Sequence, residues 1–61
     1  MEMFEVYQKH RVMFEDIGIT PEQWEKSGRE IIAAGFMKID DNGNLIITMP
    51  DTGAVVGHIP V

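Results

Sequence analysis

The hydrophobic period of this chain changes once, at Gly35, and that change limits the possible folds more than any other feature. Before it, apolar residues recur at three- and four-residue steps; after it they alternate, and β-branched residues take over. A chain of 61 residues holds one core at most. The expectation is an α+β domain: two N-terminal amphipathic helices packed on a small antiparallel β-hairpin or three-stranded meander.

In the first part, Met3, Val6, Tyr7, Met13, Phe14 and Ile17 form one stripe, with His10 on it, and predict a helix over residues 2–17. Gly18 suits the left-handed position that ends a helix, with Ile19 folding back on Phe14. Thr20, Pro21 and Gln23 supply an N-cap, a first-turn proline and a capping box for a second helix over residues 21–34. Ile19 and Trp24 flank that cap as a hydrophobic staple. Trp24, Ile31 and Ile32 share a face with Ser27 and Gly28. A glycine inside a helix costs about 1 kcal/mol relative to alanine, so a close neighbour is expected at Gly28. Gly35 ends the second helix as Gly18 ends the first.

Beyond Gly35, strands are expected over residues 36–40, 44–49 and 54–59. Two hairpin registers compete around Asn42-Gly43. A two-residue loop would pair Lys38 with Ile47, mixing charge and apolar groups on one face. A three-residue loop pairs Ile39 with Leu45 and Met37 with Ile47. Because a one-residue slip flips every side chain, burial selects the second, with Gly43 left-handed in a bulge. That register assigns Met37, Ile39, Leu45, Ile47 and Met49 to the core face, and Lys38, Asp40, Asn44 and Thr48 to the other. Pro50-Asp51-Thr52-Gly53 reads as a second turn. The strand after it is weakened by Gly57 and closed by Pro60.

Residues 30–48, EIIAAGFMKIDDNGNLIIT, run from a helix through glycine into a hairpin. This stretch resembles the last helix and wing of winged-helix domains. The resemblance implies nucleic-acid binding or transcriptional regulation, or protein binding by the same shape, as in some members of that group. Charge weighs between these. Ten acidic residues stand against five basic ones, a formal net charge of −5, whereas nucleic-acid affinity comes mainly from Lys and Arg on phosphates. Nucleic acid is thus the alternative partner and protein the first.

No catalytic, cofactor or metal site is expected. Asp51-Thr52-Gly53-Ala54 matches the signature of retroviral-type aspartic proteases, but the chain is helical first, too short for that barrel, and lacks an apolar strand leading into Asp51. Turn chemistry accounts for the string. Asp40, Asn42 and Asn44 alternate like the start of a calcium loop, which would then need Gly at the position of Leu45. His10 and His58 share no metal-ligand spacing, and a hydrogen-bonded, partly buried His10 is the simpler expectation. Ser27 lies within a helix, with no histidine near it in sequence.

The unassigned feature is apolar surface. Phe4 and Val12 fall off the stripe of the first helix, and Phe36 and Ile46 fall on the sheet face opposite the core. With five methionines and an unpaired strand edge, they form the candidate protein interface. The expectation is a small acidic interaction module, a regulator or inhibitor of a larger protein machine, homodimeric and of a style common in phage and mobile elements. No basic-then-apolar leader opens the sequence, and no apolar run approaches the roughly 20 residues of a membrane span. A cytoplasmic location is expected.

Overall fold

A computed structural model describes residues 2–61. Three helices, α1 (Met3–Lys9), α2 (Arg11–Asp16) and α3 (Pro21–Ala33), precede three strands, β1 (Met37–Ile39), β2 (Leu45–Thr48) and β3 (Val55–Ile59). The strands form one antiparallel sheet in the order β1-β2-β3.

The helix expected over residues 2–17 is in fact two, broken at His10 (φ −113°, ψ 24°). The reason is non-local. His10 is buried and its Nε2–H donates to the Gly43 carbonyl (2.8 Å), 33 residues away in the hairpin tip. Ile17, assigned to the buried stripe, lies at the C-cap of α2 and is 61% exposed. Phe14 stays inside, stacked on Tyr7 with ring centroids 5.0 Å apart and tilted against Trp24 at 4.7 Å.

Both glycine endings form as the sequence indicates. Ile19 N–H donates to Phe14 O (2.9 Å) and Gly18 N–H to Glu15 O (3.1 Å); Phe36 and Gly35 repeat the pattern onto Ile31 and Ile32. Thr20 and Gln23 make the reciprocal capping box, which fixes the start of α3. Trp24 then reaches across to α1, where its Nε1–H donates to the Met3 carbonyl (2.8 Å). Gly28 is the space that this contact needs. A Cβ there would meet the Met3 side chain and lie 2.9 Å from the Trp24 ring. Ile32 packs on the core, whereas Ile31 and Ser27, expected on the same face, are exposed.

The hairpin takes the three-residue register, with Met37 opposite Ile47, Lys38 opposite Ile46 and Ile39 opposite Leu45. Gly43 is left-handed at φ 87°. Met37 and Leu45 join Met3, Val6, Tyr7, Phe14 and Trp24 in the core. At the far end of β2 the expected alternation fails. Thr48 is buried and Met49 exposed, the reverse of the assignment from sequence. Thr48 sits where α3 passes into β1: its hydroxyl donates to Gly35 O (2.7 Å) and its N–H to Phe36 O (2.8 Å). The polar side chain is satisfied there, so its burial carries no penalty for a lost hydrogen bond.

Candidate interaction surface

The clustered oxygens of the hairpin tip are turned inward. Asp40 Oδ1 accepts from the N–H groups of Asn42 and Asn44, both at 2.9 Å, and Oδ2 accepts from the Asn44 side-chain amide at 2.8 Å. That side-chain amide, followed by the two backbone N–H groups, holds the Asp40 carboxyl below the usual carboxylate range against a smaller opposing effect of desolvation. Asn44 Oδ1 accepts from Val61 N–H (2.8 Å), which ties down the C-terminus. Lys9 Nζ donates to Asn42 O (3.1 Å) beside the His10 bond, so the end of α1 grips the loop. The alternating Asp and Asn residues are therefore a structural knot. Among the described residues no three His, Asp or Glu side chains converge on a point where a metal ion would sit.

The second turn uses its residues in the same way. Gly53 N–H donates to Met49 O, Met49 N–H to Ala54 O, and Ala54 N–H to the Thr52 hydroxyl. Asp51 is exposed at this turn.

Of the four residues proposed as an interface, three are on the outside. Val12 is the most exposed of them at 74%, and about half of the surface of Phe4 and Phe36 is open to solvent. Ile46 is half-buried in the middle of the sheet, facing away from Leu45, with Lys38 and His58 as its cross-strand neighbours. Val12 lines a groove of about 590 Å³ with Met13 and Ile17 of α2, and Ile59 and Pro60 at the end of β3. Phe4 and Phe36 do not line it.

The apolar surface that sequence reasoning did not single out belongs to β3. Val55 and Val56 are exposed, and among the described residues β3 pairs on one side only, with β2. A bulge lies at their level: β2 places only Thr48 across from the two valines. One signal was available beforehand. From Thr52 to Val61 the chain contains no Asp, Glu, Lys or Arg, its longest such run. Natural edge strands are usually guarded by charge, and this one is not.

Comparison with protein-family models, with curated proteins and with solved structures finds no match. Over residues 30–48, α3 passes through left-handed Gly35 into the β1–β2 hairpin. On α3 itself the guanidinium of Arg29 is held by Glu25 (2.7 Å). Among the described residues no helix is long and apolar enough to cross a membrane.

Proposed function

We propose that this chain is a small acidic protein-interaction module that regulates or inhibits a larger protein machine in the cytoplasm and acts as a homodimer. The observation carrying this reading is exposed apolar surface: Val12 and Ile17 line a groove with Ile59 and Pro60, and Val55 and Val56 are exposed on β3. In a chain this small, apolar groups left outside a limited core are costly unless something covers them. The acidity of the remaining surface favours a basic partner, whose encounter it would steer.

The test is affinity capture from lysate of the native host, using the wild type, Val12→Asp and Ile17→Asp. Both substituted positions are exposed, so circular dichroism should stay native. The expected result is a larger protein retained by the wild type and lost from at least one variant. If both variants keep every partner, this surface is not the interface. Binding to duplex DNA that weakens steeply with salt would point to the winged-helix alternative.

A further inference from the structure

We propose that Asn42 is a site of spontaneous covalent modification, deamidation through a succinimide, and that α1 holds it unreactive while the hairpin tip stays docked. Asn42 is exposed and precedes Gly43; the chain's other asparagine, Asn44, precedes a leucine. The reaction needs only water and a base to take a proton. The Gly43 nitrogen gives its proton to solvent and attacks Asn42 Cγ. A new N–Cγ bond closes the imide ring, the Cγ–Nδ2 bond breaks, and Nδ2 leaves as ammonia with a proton from water. Water then opens the ring at either carbonyl. Opening at Cγ gives aspartate; opening at the backbone carbonyl gives isoaspartate, in which the main chain runs through the former side chain. Attack is easiest where the nitrogen belongs to a residue without a Cβ, as at Gly43. At Asn44 the leucine hinders it, and the Asn44 side chain is already held by Asp40 and Val61.

The folded hairpin opposes the first step. Asp41 and Asn42 are the central residues of a turn closed by Gly43 N–H on Asp40 O (3.1 Å), and neither has a positive φ. That combination is a type I turn, in which the Gly43 nitrogen is directed at Asp40 and away from the Asn42 side chain. To attack, the peptide group between Asn42 and Gly43 must rotate, and it is tied at both ends. Its N–H is the donor to Asp40 O, and its oxygen accepts from Lys9 Nζ (3.1 Å). On one side of it the Gly43 carbonyl accepts from His10 (2.8 Å); on the other, Asn42 N–H donates to Asp40 Oδ1 (2.9 Å).

The bonds from Lys9 and His10 each reach across 33 residues from the end of α1. The rate of deamidation is therefore set by how often the tip lifts from α1, an opening smaller than global unfolding. Isoaspartate makes that opening permanent. Its extra backbone methylene lies beside the Gly43 bulge, so the hairpin cannot keep both its register and the His10–Gly43 bond.

The test is incubation of the full chain in mildly alkaline buffer at physiological temperature, followed by proteolysis and mass spectrometry of the peptide holding residue 42. Chromatography separates the aspartate and isoaspartate forms. Unfolded in guanidinium chloride, the wild type should deamidate at Asn42 and not at Asn44. Folded, it should react more slowly by about tenfold or more. Lys9→Met removes the donor at an exposed position and should leave circular dichroism native. Its folded form should deamidate about two- to tenfold faster than the folded wild type, by more than any drop in its denaturant midpoint accounts for. His10→Ala should accelerate the reaction further; should it fail to fold, Lys9→Met decides alone. An Asn42 that stays intact in the unfolded chain overturns the proposal, as does a folded wild type that reacts as fast as the unfolded one. A folded Lys9→Met at the wild-type rate, or faster only in step with lost global stability, overturns the role of α1.

Discussion

His10 shows how much one residue can carry in a molecule this small. It ends α1, begins the turn into α2, packs edge-on against Phe14 and closes the hairpin tip through Gly43. Removing the imidazole leaves the Gly43 carbonyl, in a buried residue, without its partner, and an unsatisfied buried group costs roughly 1–3 kcal/mol. His10→Ala should therefore lower the urea midpoint by that amount with little change in slope. A loss of under a few tenths of a kcal/mol would mean that water replaces the bond. From sequence, His10 was legible as a helix-stripe residue with a hydrogen bond. Its partner was not, because Gly43 is brought to it only when the hairpin docks.

At the scale of the element, the β1–β2 hairpin was the most legible part of the chain. A turn that needs left-handed Gly43 and a core that needs Leu45 and Met37 agree on one register, so local and tertiary preferences coincide. The Asp40 knot gives this hairpin a pH dependence. Its carboxyl is held below the usual range, so its contribution is fully present above the unfolded-state value and is lost as pH falls through the lowered folded-state value. Thermal unfolding should accordingly show a loss of stability on acidification that Asp40→Asn reduces. An unchanged pH profile in that variant would remove Asp40 as the source. The third strand was legible in place and length, but not in its exposure.

At the scale of the whole molecule, one aromatic cluster joins the layers. Phe14 lies between Tyr7 and Trp24, and these bond to the carbonyls of Ile19 and Met3. Domains of this length have a total stability of roughly 3–9 kcal/mol, and truncating a buried Phe costs about 3–5 kcal/mol. Phe14→Ala should thus leave the monomer largely unfolded at physiological temperature, seen as lost near-ultraviolet circular dichroism. A cooperative transition close to that of the wild type would show that the cluster is not the keystone. If the chain acts as the proposed homodimer, higher protein concentration should partly rescue this variant, because association stabilises the folded state by mass action.

The sequence by itself determined the order of helices and strands, both glycine endings, the capping box and the hairpin register, because each depends on residues only a few positions apart. The tertiary structure alone decided the break at His10, the exposure of Ile17 and Met49, and the burial of Thr48. The break and the burial depend on distant partners, Gly43 for His10 and Gly35 for Thr48. A period of hydrophobicity reports which face a residue occupies on its own element. It carries no information about whether another element arrives to cover that face.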